Sequence, residues 1–244
     1  KRCWTNRLHF ITSIARVDSM SLRPSTAEME SSLSVIREFL SETPLNLESD
    51  LSALTETTTY VKHEYKSPVN SFKARGALTL VHRLSQSSNV TKVITASTGN
   101  HGSAMAYACQ KFDIPITVVV PEGADERKVT LIRKFDADLQ VLGRDLDEAK
   151  DRILEWDMPS DHLFVEDGAV PDIVIGTATI GYEIMEQRKE GLDVIIVPVG
   201  NGSLIGGLGS AVKDKNPSTQ VVGVQSEAAP CMTYSFREKR PVNT

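Results

Sequence analysis

Three short segments of the chain combine residue types that could carry chemistry. Residues 97–102 read Ser-Thr-Gly-Asn-His-Gly, residues 200–207 read Gly-Asn-Gly-Ser-Leu-Ile-Gly-Gly, and residues 71–77 contain Lys73 beside an aromatic ring. Small and polar residues suit the binding of an anion through backbone N–H groups, and a lysine amine can attack a carbonyl carbon to form a Schiff base. The chemistry open to this set is anion binding combined with nucleophilic catalysis by an amine.

The glycine-rich segment at 200–207 has the features of a phosphate-binding turn. It follows an apolar run and precedes a helical pattern, and a helix N-terminus favours a negative charge. It is not a dinucleotide-binding fingerprint, which would need a glycine where Ile205 stands, and it is not a P-loop, which would end in Gly-Lys-Ser/Thr. The alternative is a turn whose glycines serve only close packing.

The segment at 97–102 also follows a predicted strand and opens a helix. Its amides and hydroxyls could hold a carboxylate. Alternatively, Ser97 or Thr98 could only cap the helix by accepting hydrogen bonds from its free amides. The segment by itself leaves both interpretations open.

Two features of the sequence around Lys73 disfavour its ammonium form. The residue lies in the first turn of a predicted helix, where the helix dipole is unfavourable for a cation, and Phe72 is a large apolar neighbour. The neutral amine is the form that attacks a carbonyl group. A surface lysine without a special role is the alternative, and the presence of the two anion-binding turns favours the reactive amine.

Alternating helical and extended patterns predict the elements that position these segments. Apolar spacing predicts strands at 57–62, 92–95, 115–120, 138–142, 162–165, 193–198 and 220–225, and helices at about 33–40, 71–84, 100–112, 125–135, 145–156, 173–189 and 203–214. The runs at 116–120 and 194–197 are almost continuously apolar, which predicts that both faces of these strands are covered. The pattern therefore predicts an α/β fold with parallel sheets flanked by helices, in which ligands bind at the carboxyl ends of strands.

The composition argues against several classes of protein. The 244 residues include 27 Lys and Arg against 32 Asp and Glu, a net charge of −5, which argues against general binding to nucleic acid or to anionic membranes. No apolar run approaches the roughly 20 residues that span a bilayer. Three widely spaced cysteines indicate a reducing compartment rather than a disulfide framework. We therefore expect a cytoplasmic protein that binds neither nucleic acid nor membranes.

Residues 1–27 form a separate compositional segment. They are basic, rich in Ser and Thr and poor in acidic residues, as organelle transit peptides are. The alternative is an artefact upstream of a native start near Met20. In either case we expect residues 1–27 to lie outside the fold, and a transit peptide would place the protein in an organelle instead of the cytoplasm.

Taken in order, the three segments resemble the signature motifs of fold-type II pyridoxal-phosphate (PLP) enzymes. The matching motifs are Ser-Phe-Lys-x-Arg-Gly at 71–76, Ser-Thr-Gly-Asn-His-Gly at 97–102 and Val-Gly-Asn-Gly-Ser-Leu at 199–204. Shorter matching stretches lie at 43–45, 119–122 and 176–181. The nearest members are serine/threonine dehydratases (ammonia-lyases) and serine racemases, and the resemblance covers about residues 35–230.

The resemblance implies a role for each matching residue. Lys73 would bind the PLP cofactor as a Schiff base and later act as the base on the substrate Cα, with Phe72 packed near the pyridine ring. The phosphate would be wrapped by Gly200, Asn201, Gly202, Ser203 and Leu204. Asn100 would hydrogen-bond the cofactor's 3′-oxygen, and the substrate carboxylate would be surrounded by Ser97, Thr98, Asn100 and His101. The implied reaction is β-elimination, in which a β-hydroxy amino acid such as L-threonine or L-serine yields a 2-oxo acid and ammonia.

Departures from the family pattern bear on this assignment. Thr98 stands where serine racemases carry a serine, which favours a lyase because a threonine hydroxyl is bulkier and less free to rotate. The metal ligands of many relatives fall near Gln225 and Pro230 here, so we expect no metal. The alternatives are an amino-acid racemase, another β-elimination or β-replacement enzyme of the same fold, or a truncated non-catalytic relative.

The resemblance also predicts a domain organisation. A small domain is expected at 90–168, inserted into a large PLP-binding domain made of 28–89 and 169–244, with the cofactor in the cleft between them. The large domain of the family continues well beyond the point where this sequence stops and supplies the residue that faces the pyridine nitrogen. We therefore expect the C-terminal part of that domain to be missing here, and we expect a homodimer.

Overall fold

The computed structural model describes residues 23–87, 89–168 and 170–242. Its helices are α1 (Thr26–Phe39), α2 (Ser49–Thr55), α3 (Lys73–Ser85), α4 (Asn100–Lys111), α5 (Glu126–Arg133), α6 (Leu146–Leu154), α7 (Pro171–Gln187), α8 (Ser203–Lys215) and α9 (Cys231–Glu238), with a 3₁₀ helix at Glu64–Lys66. Its strands are β1 (Leu45–Leu47), β2 (Tyr60–Lys62), β3 (Lys92–Ala96), β4 (Ile116–Val120), β5 (Asp138–Val141), β6 (His162–Phe164), β7 (Val194–Pro198) and β8 (Gln220–Val224). Each predicted element is present, although several ends differ.

Four parallel strands form the largest sheet, in the order β5-β4-β3-β6. Every residue of β4 is buried, as predicted. Val118 of this strand joins a hydrophobic cluster with Met105 of α4, whereas Val119 joins another with Ile153 of α6. Because successive residues of a strand point to opposite faces, these two clusters show that helices cover both faces of the sheet. The predicted α/β class with parallel strands is confirmed.

The prediction that both faces of β7 are covered is wrong. β7 pairs in parallel with β8, and Val197 is buried in a cluster with residues of α7 and α8. The alternate residues face outwards, so Ile196 is 70% exposed, and its partner Val222 on β8 is 42% exposed. Among the described residues, the helices pack on the other face of this two-stranded sheet, and an apolar face stays open. An apolar run shows that a strand suits burial, but it does not show what covers each face.

Four short elements were not predicted: β1, α2, α9 and the 3₁₀ helix at Glu64–Lys66. β1 pairs with β2 in antiparallel fashion, with Leu45 opposite Lys62, and α2 connects them. α9 follows β8 at Cys231–Glu238. Strands of three residues are too short to show the alternation that marks a strand in a sequence.

The first helix begins inside the segment that we assigned to a leader. Ser25 caps α1, because its side chain accepts a hydrogen bond from the amide of Glu28 while the Glu28 carboxylate accepts one from the Ser25 amide at 2.8 Å. The rest of the predicted leader, residues 1–22, lies outside the described residues. In the part of the chain that is described, no helix is both long and apolar enough to cross a bilayer.

The sheet β5-β4-β3-β6 and helices α4 to α6 lie within the segment predicted as the small domain. Their core is continuous with that of the flanking segments, since Ile36 of α1 and Leu78 of α3 belong to the same cluster as Val93 and Met105. A second cluster combines α7, α8 and β7. The boundaries at residues 90 and 168 stay a prediction.

Glycines allow α7 to approach both α3 and α8 closely. A Cβ atom at Gly176 of α7 would lie 2.5 Å from the Cα of Gly76 in α3. A Cβ atom at Gly207 of α8 would lie 2.2 Å from Oγ1 of Thr177 in α7. Non-bonded atoms cannot approach that closely without displacement, so these glycines determine how closely α3 and α8 pack on α7. The first residues of α3 and α8 carry parts of the predicted site.

We expect Gly207→Ala to lower the free energy of unfolding by about 1–3 kcal/mol, because the added methyl group forces α7 and α8 apart. The neighbouring glycine offers a matched control, since a Cβ at Gly206 meets nothing within 4 Å. Gly206→Ala should raise the free energy of unfolding by about 0.5–1 kcal/mol, because alanine is the better helix former. Urea denaturation followed by circular dichroism measures both, and equal stabilities of the two variants would contradict this packing argument.

Candidate active site

Each of the three predicted segments opens a helix. α3 begins at Lys73 itself, with Phe72 as the residue before it. α4 begins at Asn100 after β3, and α8 begins at Ser203 after β7. All three helix N-termini therefore carry the residues that the sequence singled out, and each end presents amides that favour an anion.

The amine of Lys73 contacts the carboxylate of Asp167. The other oxygen of this carboxylate, Oδ1, lies 3.4 Å from Nδ1 of His101. The side chain of His101 is 5% exposed, whereas those of Lys73 and Asp167 are 22% and 31% exposed. Residues from two of the predicted segments thus meet at one acidic side chain that is reachable from solvent.

The loop that carries Asp167 also contacts the glycine turn. Oδ1 of Asn201 in this turn accepts hydrogen bonds from the amide and the hydroxyl of Ser203, at 3.1 and 2.9 Å. A Cβ atom at Gly168 would lie 2.5 Å from Nδ2 of Asn201, so the two loops are in direct contact. The loop that contacts the Lys73 amine through Asp167 therefore contacts the turn at 200–203 through Gly168.

The glycine turn has space for a ligand. A Cβ atom at Gly200 would meet nothing within 4 Å. Gly202, the N-cap of α8, has φ of 94°, a left-handed conformation that favours glycine. The turn therefore exposes backbone at a helix N-terminus. Close packing of its glycines, the alternative role, does not by itself explain the open space beside Gly200.

At the segment 97–102, Ser97 has the capping role that the alternative interpretation describes. Its Oγ accepts hydrogen bonds from the amides of Gly99 and Gly102, at 3.1 and 2.9 Å, and the residue is buried. Thr98 is exposed, and a Cβ atom at Gly99 would meet open space. The segment therefore has a capped, rigid side and an open side on which a carboxylate can bind.

Asn100 has a partner that the sequence did not indicate. Its Oδ1 accepts a hydrogen bond from Nζ of Lys128, on α5. This contact orients the side-chain amide so that its NH₂ group is the donor left for a ligand oxygen. Such a donor suits the predicted contact with the 3′-oxygen of PLP.

Phe72 and Leu204 supply apolar surface beside the polar groups. Both are partly buried and pack against the hydrophobic cluster of α7, α8 and β7. Phe72 precedes the reactive lysine, and Leu204 lies in the first turn of α8. This placement agrees with the predicted packing of Phe72 near an aromatic cofactor ring.

The surroundings of Asp167 and His101 determine the charge of each side chain. Burial lowers the pKa of His101 to about 4, against the pull of the Asp167 carboxylate, so its ring is neutral at pH 7. Burial raises the pKa of Asp167, but nearby positive charge, including that of the Lys73 amine in contact with it, outweighs this effect and holds the pKa below its usual range. Nε2 of His101 is buried without a hydrogen-bond partner among the described residues. A buried polar atom of this kind calls for a ligand or a water molecule.

Sequence reasoning missed two members of the site, Asp167 and Lys128. Asp167 follows β6, at the carboxyl end of a strand that neighbours β3. The rule that ligands bind at the carboxyl ends of parallel strands would have found it, had it been applied to this short strand as well. Lys128 lies within a helix, and nothing in its sequence context marks it.

Arg75, in the same motif as Lys73, does not face the site. It is 2% exposed and forms ion pairs with Glu64 and Glu183, both with a nitrogen–oxygen distance of 2.8 Å. Lys62 also binds Glu183, at 2.8 Å. A cavity of about 190 Å³ lies beside this network and is lined by Thr43, Glu64, Ser71 and Arg75 among others, but by none of the residues predicted to bind the cofactor. Arg75 anchors the helix that presents Lys73.

The expected absence of a metal stays a prediction. The side chain of Gln225 is engaged, since its Oε1 accepts hydrogen bonds from the amide and the hydroxyl of Thr233, each at 2.9 Å. In the described part of the chain, His, Cys, Asp and Glu side chains do not form a group of three or more that could hold a metal ion.

The residues present fit PLP. Lys73 offers an amine for its aldehyde, the turn at 200–204 offers open backbone for its phosphate, and Asn100 offers a donor for its ring oxygen. The orphaned Nε2 of His101 adds a polar atom to the same group of residues. Lys73 and His101 contact Asp167, and the next residue, Gly168, contacts the turn, so one loop meets the amine and the turn that a ligand with an aldehyde and a phosphate requires.

Comparisons with known proteins agree with this geometry. L-threonine ammonia-lyase of Thermotoga maritima is 37% identical over 205 residues, which cover 84% of this chain and 51% of that protein. The structure of the processed form of threonine deaminase isoform 2 from Solanum lycopersicum superposes with a TM-score of 0.80 at 31% identity, covering 91% of this chain and 66% of that one. Maize serine racemase shares the fold, with a TM-score of 0.82 at 24% identity, over 89% of this chain and 66% of that one. The chain spans about half the length of the Thermotoga protein.

The fold and the resemblance predicted from the three motifs are thus confirmed, and with them the cofactor. The family model for pyridoxal-phosphate-dependent enzymes matches residues 36–244, the greater part of the sequence. This chain belongs to the family of pyridoxal-phosphate-dependent enzymes, with the fold-type II architecture.

Proposed function

We propose that the protein is a PLP-dependent ammonia-lyase that converts a β-hydroxy amino acid, such as L-threonine or L-serine, into a 2-oxo acid and ammonia. The observation that carries the proposal is that one loop contacts both parts of the site: Asp167 contacts the Lys73 amine, and Gly168 packs against Asn201 of the turn at 200–203. Relatives named threonine ammonia-lyase and threonine deaminase support it.

The residues of the chain divide the work of such a reaction. The backbone amides at the start of α8 would hold the phosphate, while Asn201 fixes the turn by accepting hydrogen bonds from the amide and the hydroxyl of Ser203. Bound PLP would supply an electron sink for the pair released at the substrate Cα. The open side of the turn at 97–102 would orient the substrate carboxylate, with the neutral ring of His101 behind it.

Lys73 would take the α-proton at Nζ when its amine is free. Removal of this proton on one side of Cα and loss of the β-hydroxyl give the elimination, and hydrolysis of the resulting enamine gives the 2-oxo acid and ammonia. The apolar side chains of Phe72 and Leu204 limit water beside the ring.

We expect the protein, incubated with PLP, to release equal amounts of ammonia and 2-oxo acid from L-threonine or L-serine. A panel of β-hydroxy amino acids assayed for both products ranks the substrates, and the D-enantiomers serve as the matched controls. Racemisation is measured in the same reactions by chiral chromatography of the remaining amino acid. Interconversion of L- and D-serine without ammonia release would show that the protein is a racemase and not a lyase. The bulk of Thr98 disfavours that outcome.

The proposal also includes a homodimer and a reducing cellular compartment. A homodimer rests on the family resemblance. The reducing compartment rests on the cysteines, of which Cys109 is buried as a free thiol, with its pKa raised by burial to about 12. Both stay predictions.

A further inference from the structure

Lys128 has no role in the mechanism above, although its side chain contacts a residue of the site. Its Nζ atom donates a hydrogen bond to Oδ1 of Asn100, at 2.5 Å. Lys128 lies in α5 and Asn100 is the first residue of α4, so the contact joins two different helices. One ammonium group therefore binds the side-chain amide that we expect to meet the 3′-oxygen of PLP.

We propose that Lys128 is a positioning residue: it fixes the orientation of the Asn100 side-chain amide, so that this amide donates a hydrogen bond to the 3′-oxygen of PLP. The inference deepens the proposed function and rests on it in one respect, since PLP must bind where Asn100 reaches that oxygen. It makes the preference of the site for a ligand with an oxygen at this ring position depend on a lysine outside the three motifs.

The first step of the argument is the chemistry of the two groups in contact. An ammonium group has three donors and no acceptor, so it can bind the amide of Asn100 only through the amide oxygen. The NH₂ group of Asn100 then faces the other side. Among the described residues this NH₂ group donates to no protein acceptor, which leaves its hydrogens for a ligand or for water.

The second step is the match between this amide and the ligand. The 3′-oxygen of PLP is a phenol-type oxygen, and once it has lost its proton it can only accept hydrogen bonds. An amide that presents its NH₂ group complements such an oxygen, whereas a flipped amide would place one oxygen against another. The positive charge of Lys128 behind the amide also favours negative charge on the ligand. Both effects of Lys128 therefore favour a ligand that carries this oxygen.

The third step is the way in which α5 is held against α4. Val129 and Ile132 of α5 are buried in a hydrophobic cluster that also contains residues of α4. A Cβ atom at Gly102, in the first turn of α4, would lie 3.3 Å from Cδ1 of Ile132, so α5 packs on the start of that helix. The backbone at Lys128 therefore has a fixed place relative to Asn100.

The fourth step concerns the other partners open to this ammonium group. Asp125, the N-cap of α5, pairs with Arg127, with a nitrogen–oxygen distance of 2.7 Å. Within the described ranges Lys128 forms no ion pair with a carboxylate. It also lies in the first turn of α5, where the helix dipole is unfavourable for a cation. In the described structure the side chain of Lys128 is thus held by Asn100, whereas its neighbour Arg127 turns to an acid.

The test compares the binding of PLP with that of 3-deoxy-PLP, the analogue that lacks this ring oxygen. Absorbance titration gives the Kd of each, and borohydride reduction followed by peptide mass spectrometry locates the adduct at Lys73. The wild type is compared with Lys128→Met, which removes the ammonium group at similar length, and with Lys128→Arg, which keeps a cation without an acceptor. Arg127→Met is the matched control, because Arg127 is the adjacent cation and its side chain is 90% exposed.

Without the ammonium group the amide of Asn100 is free to turn its oxygen towards the ligand. We therefore expect Lys128→Met to raise the Kd for PLP by about tenfold and to leave that for 3-deoxy-PLP within about twofold, as for groups coupled in one hydrogen-bond network. Lys128→Arg should keep most of the preference for PLP, and Arg127→Met should match the wild type. If the Met variant does not fold, Lys128→Ala removes the same group.

Equal weakening of both ligands in Lys128→Met would overturn the inference, because it would show a general structural role, and so would an unchanged Kd for PLP. The same selective loss in Arg127→Met would also overturn it, since any nearby cation would then suffice. Failure of the proposed function looks different. In that case the wild type itself gives no borohydride-stable adduct at Lys73 with either ligand.

Discussion

Lys73→Ala should abolish the covalent trapping of PLP by borohydride and reduce 2-oxo acid release to the level of the reaction without protein. Lys73 is the amine that contacts Asp167 beside the turn at 200–203, and its loss leaves the site without a nucleophile and without a base. Removal of a residue that serves both functions commonly costs several orders of magnitude in kcat. Peptide mass spectrometry after reduction measures the adduct, and a coupled assay measures the product.

A matched control lies seven residues earlier in the chain. Lys66 is exposed and ends the short 3₁₀ helix before α3, so Lys66→Ala changes the number of surface amines without touching the site. We expect it to retain both the adduct and turnover. Full turnover in Lys73→Ala, or an adduct that moves to another lysine with activity retained, would contradict the assignment of this residue.

The sequence was sufficient for the parts of the site that depend on local patterns. The turns at 97–102 and 200–204 and the helix start at Lys73 lie where small residues and helix onset predicted them, because caps and turns are decided by neighbours in the chain. The order β5-β4-β3-β6 is a tertiary property, and the sequence predicted its parallel character from apolar runs without predicting the order.

The missed features have tertiary causes. Asp167 and Lys128 join the site because β6 lies beside β3 and because α5 packs near the start of α4, contacts that no local pattern encodes. The open face of β7 shows the same limit, since Val194 and Ile196 are as apolar as the buried residues of β4. Apolar character predicts that a face suits burial, whereas the partner that covers it depends on the rest of the assembly.

Arg75 illustrates how a motif can combine chemistry with support. Lys73 and Arg75 lie two residues apart in α3, so their side chains leave the helix in different directions. Lys73 reaches Asp167, whereas Arg75 points into a network with Glu64, Glu183 and Thr43. These hydrogen bonds tie α3 to the 3₁₀ helix before it and to α7. The helix that begins at Lys73 is thus held by buried ion pairs of Arg75.

Arg75→Met should lower the free energy of unfolding by about 3–5 kcal/mol, because it removes the cation that pairs with Glu64 and one of the three that pair with the buried Glu183. Burial lowers the pKa of Arg75, but Glu183 and Glu64 outweigh it and hold this pKa above its ordinary value, as expected of a fully ionised pair. Methionine has a similar length, so the loss reflects charge and hydrogen bonds more than volume. Urea denaturation of the protein without PLP measures the change.

Two further variants separate the possible causes of that loss. Arg144 pairs with Glu148 on the surface, with its side chain 84% exposed, and Arg144→Met should leave the urea midpoint unchanged, since exposed pairs contribute little. Arg75→Lys keeps the charge but cannot bind two carboxylates with a planar fork, so its stability should lie between those of the wild type and Arg75→Met. If Arg75→Met unfolds at the wild-type urea concentration, the network does not anchor α3. If it is destabilised but captures PLP at Lys73 with the wild-type rate under folded conditions, the network supports the fold without setting the position of the amine.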